Sequence, residues 1–102
     1  MAIRQGTTPT HTFTVPFDTS DLKTVHIAYA QCEQVLFVKS GEDITLGGNT
    51  IVTTLTQEET LKINPSKVVA IQVRVVTHAN DALASDIMLV SAEWCLEKEV
   101  LY

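Results

Sequence analysis

The chain has 102 residues, 45% of them apolar and 19% charged, with seven Lys and Arg against twelve Asp and Glu. A chain of that length supports one domain around one core, and that composition excludes an intrinsically disordered polymer. The net charge of −5, with Arg4, Lys23, Lys39, Lys62, Lys67, Arg74 and Lys98 placed singly, leaves no clustered basic face for nucleic acid or an anionic membrane surface.

Residues 1–9 lack the apolar run of a secretory leader and read as a flexible or edge-docking N-terminal segment of a single domain over 1–102. No stretch approaches the roughly 18 apolar residues of a membrane helix. From residue 10 the apolar pattern has a period of two, which predicts strands. Residues 10–15 set His11, Phe13 and Val15 on one face and three threonines on the other, and end at Pro16, which cannot donate to a ladder. After a turn at Asp18-Thr19-Ser20-Asp21, residues 24–31 place Val25, Ile27 and Tyr29 opposite His26, Ala28 and Ala30. Residues 34–39 form a third strand, continuously apolar from Val35 to Val38, the pattern of a strand covered on both faces. Residues 44–46 and 50–55 flank Gly47-Gly48-Asn49, which predicts a three-residue hairpin loop.

The one helical signal is Thr56-Gln57-Glu58-Glu59, a capping box in which Thr56 and Glu59 satisfy each other's backbone donors, so a short helical turn is expected near 56–61. It lies in a connection over 56–67, closed by Asn64-Pro65-Ser66, that reads as an arch from one sheet to the other. Residues 68–77 are the strongest strand. A turn at Asn80-Asp81 leads to a final β region over 83–96, longer than one strand, with a bulge or bend expected at Ala84-Ser85-Asp86 or Ser91-Ala92-Glu93. About seven strands with one arch predict an all-β, antiparallel two-sheet sandwich, with a small Greek-key barrel as the alternative.

No residue set carries catalysis, a metal or a cofactor. His26 and Cys32 lie six residues apart along one extended segment, about 20 Å, beyond the reach of a nucleophile and its base. His11, His26 and His78 are isolated, and no Cys-x-x-Cys or His-x-x-x-His spacing offers a zinc site. Glu58-Glu59 and Glu97 with Glu99 lack the aspartates and glycine of a calcium loop, and Gly47-Gly48 lacks the Lys-Ser/Thr of a phosphate loop. Cys32 and Cys95 read as two thiols of a protein made in a reducing compartment, since Trp94 directly precedes Cys95 and does not lie between the two.

A sandwich sheet has one core side, yet residues 68–77 and 87–96 carry apolar side chains on both faces. Ile87 and Leu89 fall on one side of the last strand, with Met88, Val90, Ala92 and Trp94 on the other. The surplus points to a contact with another subunit, and Gln72, Arg74, Met88, Val90 and Trp94 form the candidate interface.

Leu55-Thr56-Gln57-Glu58-Glu59-Thr60-Leu61, Ile71-Gln72-Val73-Arg74-Val75 and Ala84-Ser85-Asp86-Ile87 resemble segments of small prophage-encoded proteins. The opening Ile3-Arg4-Gln5-Gly6-Thr7-Thr8-Pro9, with Phe13 and Val15-Pro16-Phe17, is similar to the same group. These are structural components of tail, baseplate or virion assembly in phages of Firmicutes-type bacteria. The resemblance implies an immunoglobulin-like sandwich without enzymatic activity. It also implies other phage structural proteins and the chain itself as partners, in the bacterial cytoplasm during assembly and then in the virion. The competing expectation is a module that recognises a host surface glycan or protein through loops such as those at Asn49 and Asn80.

Overall fold

Residues 2–102 are described by the structure, a computed structural model. Their strands are β1 (Ala2–Arg4), β2 (Thr10–Thr14), β3 (Leu22–Gln31), β4 (Gln34–Ser40), β5 (Ile44–Gly47), β6 (Thr50–Thr54), β7 (Val69–Thr77), β8 (Ala82–Ala84) and β9 (Met88–Glu93), with one helix, α1 (Gln57–Leu61). The larger sheet runs β1-β9-β7-β3-β4, with β8 also on β7, and the smaller runs β2-β6-β5. The 56–67 connection carries the chain from the smaller sheet to the larger, as an arch must.

Alternation builds the core. Val25, Ile27 and Tyr29 of β3 and Val69, Ile71, Val73 and Val75 of β7 point inward against Ile51 and Leu55 from the smaller sheet, all of them buried. Ile3 joins this core because β1 lies parallel beside β9, with Ile3 opposite Ala92. Among the described residues that parallel pair is the one departure from an antiparallel ladder.

Two expectations about strands need correction. β4 is an edge strand, and Val35 and Val38 are 55% and 43% exposed. A bulge between the pairs Tyr29↔Phe37 and Ala30↔Val35 makes Leu36 the extra residue, so Leu36 and Phe37 both meet the core while Val35 and Val38 face out. The continuous apolar run is thus a bulged edge, not a strand covered on both faces. At the β5–β6 hairpin, Gly47 pairs with Thr50, leaving a two-residue loop, Gly48-Asn49, in place of the three-residue one. Gly48 takes φ +55 at the first loop position, where a type II′ turn calls for glycine.

The final β region breaks where a bend was expected. β8 pairs with Arg74, Val75 and Val76, then β9 pairs with Val69, Ala70 and Ile71 on the same side of β7. Ser85 bridges the gap: its amide donates to Val73 O at 2.8 Å and its hydroxyl accepts the Val73 amide at 3.0 Å. The ladder position lost at the bend is therefore satisfied by a side chain.

Candidate functional site

The outward positions of the larger sheet line up across four strands. Leu89 of β9 is opposite Ala70 of β7, Ala70 opposite Ala30 of β3, and Ala30 opposite Val35 of β4. The next row holds Gln72, Ala28 and Val38, and the third holds Arg74, His26 and Ser40. Alanines hold the middle of the face, and Leu89 and Val35 stand at its flanks, 66% and 55% exposed, joined by Ile87 and Val68 at 61% and 56%. The result is a shallow apolar trough bordered by larger side chains, with Gln72 and Arg74 at one end. A contiguous apolar strip has the character of a surface that another molecule could cover.

The predicted interface residues divide between the two faces. Gln72 and Arg74 belong to this outer face, where Gln72 also donates from Nε2 to Ser85 O at 3.0 Å. Val90 does not: it is only 8% exposed and part of the core, and Met88 and Ala92 pack against that core from the same side. The period-two pattern separated the faces of β9 correctly, but which face is inward depends on where the smaller sheet sits. Leu89 and Ile87, assigned to the opposite side, are the exposed pair. Trp94 lies beyond the end of β9, 59% exposed, with the Lys98 ammonium 5.9 Å from its ring centroid.

A second constellation, absent from the sequence reading, is buried between the sheets. Tyr29, fully buried, stacks on Phe37 at 4.8 Å and on His11 at 5.8 Å, and its hydroxyl is 2.7 Å from His11 Nδ1. Lys39, 3% exposed, donates to Glu59 Oε1 at 2.8 Å. Burial, with the Glu59 charge adding to it, pushes the Tyr29 hydroxyl far up, so it stays protonated. Burial lowers His11, which holds the imidazole neutral. Lys39 was read as one of several scattered cations; its phase with Phe37, two residues earlier on an inward-facing run, is the signal that places it inside.

This cluster ties β2, β3, β4 and the arch together and presents no nucleophile to solvent. Among the described residues no group of three His, Cys, Asp or Glu side chains is arranged to hold a metal ion, and no helix is long and apolar enough to cross a membrane. Cys32, exposed in the β3–β4 turn, and Cys95, in the C-terminal tail, are both free. The capping-box residues stand at the arch: Thr56 Oγ1 accepts the Glu59 amide at 3.1 Å, and Glu59 Oε1 accepts the Thr56 amide at 2.9 Å.

No protein-family model matches the chain, and no curated protein matches it. Among solved structures it is similar to the immunoglobulin-like domain of mouse leukocyte-associated immunoglobulin-like receptor 1, itself solved as a strand-swapped dimer. That likeness has a TM-score of 0.50 and 13% identity, over 90% of this chain and 85% of the receptor domain. The fold is an immunoglobulin-like β-sandwich. The V domain of amphioxus IgVJ-C2 is also similar over 91% of this chain and 99% of its own, with a TM-score of 0.36 and 11% identity. An immunoglobulin-like core is here assembled without an inter-sheet disulfide, with Tyr29, Ile27, Ile51 and Ile71 closing the interior.

Proposed function

We propose that this immunoglobulin-like domain is a non-enzymatic docking module that binds protein through the outer face of its larger sheet, and that it serves as a structural component of a phage particle. The observation that supports docking is the row Leu89–Ala70–Ala30–Val35, apolar across four strands and unpartnered in the monomer. Alanines at the centre let a partner surface approach closely, and the flanking Leu89 and Val35 supply apolar area that water would otherwise cover. The particle assignment is supported by the resemblance of segments 3–9, 55–61, 71–75 and 84–87 to small prophage structural proteins.

The test is incorporation. Particles purified after induction of a lysogen that encodes this chain contain it in stoichiometric amount, and Ala30→Arg removes it from the particle without changing its circular-dichroism spectrum. Absence of the native chain from washed particles would refute the particle role. Normal incorporation of both Ala30→Arg and Leu89→Arg would refute docking through this face.

A further inference from the structure

The two sheets are unequal, six strands against three, and β2 is the terminal strand of the smaller one. The Val15 amide donates to Asn49 O at 2.8 Å and Pro9 O accepts the Leu55 amide at 2.9 Å. Odd-numbered residues of this stretch therefore turn their backbone groups toward β6, and alternation leaves the N–H and C=O of Thr12 and Thr14 pointing to the open side. Along that side runs a groove of about 570 Å³, bordered by every residue from Thr12 to Phe17 and, across from them, by Val73, Val75, Leu83 and Met88. Six consecutive residues along one wall mean that the groove follows the strand's edge and not one of its faces. It is the place a fourth strand of the smaller sheet would occupy.

The chain also carries a segment with the matching pattern. Beyond β9, Trp94, Leu96, Val100 and Tyr102 fall on one side of an extended chain and Cys95, Glu97, Glu99 and Leu101 on the other. Lys98 is the single polar residue on the apolar side, and its aliphatic stem can lie along apolar surface with the ammonium in water. This tail pairs with no strand in the monomer, and Trp94 and Leu96 are 59% and 86% exposed, with Tyr102 fully so. In its own copy it forms no part of that groove's walls. Lys98 Nζ donates to Cys95 O at 2.6 Å and to Gln5 Oε1, while the Gln57 side chain meets both the N–H and the C=O of Leu101 at 2.8 Å.

We propose that the groove beside β2 receives residues 94–102 of a second copy of this chain, which add as a fourth strand of the smaller sheet in a reciprocal dimer. Nine extended residues span about 30 Å, enough to follow β2 from Thr12 past Phe17. Two aromatics of roughly 150–250 Å² each bring about 300–500 Å² per tail and about 600–1,000 Å² for the two tails of a reciprocal pair. Leu96 and Val100 carry the sum toward the about 1,200 Å² at the low end of a stable interface. Hydrogen bonds to Thr12 and Thr14 set the register. This contact is separate from the outer-face docking described above.

Light scattering and crosslinking on the full chain test it. The native chain is a dimer, and in a Cys32→Ser, Cys95→Ser background a mixture of Thr14→Cys and Glu97→Cys chains forms a disulfide between chains on mild oxidation. Thr12→Pro keeps the native circular-dichroism spectrum, because that amide faces away from β6, yet abolishes both the dimer and the crosslink. Leu89→Arg on the outer face leaves both intact. A monomer at the highest soluble concentration overturns the proposal, as does a mixture in which no disulfide forms between the two kinds of chain, or a dimer that survives Thr12→Pro. Loss of the dimer in Leu89→Arg alone also overturns it, while leaving outer-face docking standing.

Discussion

Lys39 Nζ and the Thr56 amide converge on one oxygen, Glu59 Oε1, at 2.8 and 2.9 Å. Lys39 belongs to β4 at the edge of the larger sheet, and Thr56 opens the arch leaving the smaller one. A single carboxylate thus caps α1 and neutralises a cation whose side chain is 4% exposed. Removing either partner of such a pair leaves a charge without compensation in a poorly hydrated site.

Glu59→Ala is expected to destabilise the domain by about 3 kcal/mol, at the low end for a buried pair because the carboxylate keeps some solvent contact. Glu59→Gln retains the capping box and costs less. Urea unfolding at neutral pH ranks the two, and equal stability of Glu59→Ala and native protein would remove the pair from any structural role.

The same carboxylate sets an acid limb. Burial pushes Glu59 up, but the Lys39 and Thr56 bonds outweigh it and hold the group below its ordinary value of 4.5. A depressed carboxylate contributes stability above the unfolded value and loses it as pH falls through the folded one. His11, lowered from 6.5 by burial, acts in the same direction from a higher start, because the unfolded chain takes up the proton first. Stability therefore declines in two stages below neutrality. His11→Phe flattens the stage that begins near pH 6.5, and Glu59→Gln flattens the one that begins near pH 4.5. Unfolding midpoints between pH 7 and pH 3 measure both.

The His11–Tyr29 contact predicts a non-additive pair. Among the described residues His11 Nε2 has no hydrogen-bond partner, so the imidazole rests on the Tyr29 hydroxyl alone. Tyr29→Phe strands Nδ1, and His11→Phe strands the hydroxyl, each at a cost of about 1–3 kcal/mol. The double variant keeps the aromatic stack with no buried polar group and is expected near native stability. A double variant as destabilised as the sum of the singles would contradict the pairing.

Strain is concentrated in the β3–β4 turn. Gln31 pairs with Gln34, so Cys32 and Glu33 form a two-residue loop, and both hold positive φ, 51° and 65°. That is the type I′ geometry that favours Asn-Gly. Cys32→Asn with Glu33→Gly is expected to stabilise the domain by about 1–2 kcal/mol, read as a Tm increase of roughly 4–8 °C per kcal/mol.

Gln5 anchors the tail. Its carbonyl oxygen accepts the Cys95 amide at 3.3 Å and the Lys98 ammonium, and its Nε2 donates to Ile63 O at 2.7 Å, all at 6% exposure. Gln5→Leu strands the Ile63 carbonyl and frees the tail. In a Thr12→Pro background, where the tail cannot enter the groove of a second copy, tryptic cleavage after Lys98 is expected to accelerate severalfold, and the domain loses the about 1–3 kcal/mol of a stranded buried carbonyl. Unchanged cleavage would show that the tail is held by Gln57 alone.

Much of the architecture was legible in the residues. Alternation marked β2, β3, β6 and β7 and sorted the faces of β2, β3 and β7, because a pleated backbone turns successive side chains to opposite sides whatever surrounds it. The capping box placed α1 and the arch, since its hydrogen bonds are local. Turn chemistry at Asn80 and the break at Ser85 followed from the same local rules. Of the residues expected at an interface, Gln72 and Arg74 lie on the outer face of the larger sheet, whereas Val90 and Met88 face the core and Leu89 and Ile87 are the exposed ones.

That difference shows where sequence stops. Period two states that Leu89 and Val90 oppose each other, and is silent on which of them meets the other sheet. Only the arrangement of the smaller sheet over β3, β7 and β9 decided that, as it decided that Lys39 is interior, that β4 is a bulged edge, and that β2 is left with a free side. Local geometry is encoded by neighbouring residues. The choice of inside and outside is made by segments distant in the chain, whose mutual burial has no periodic signature.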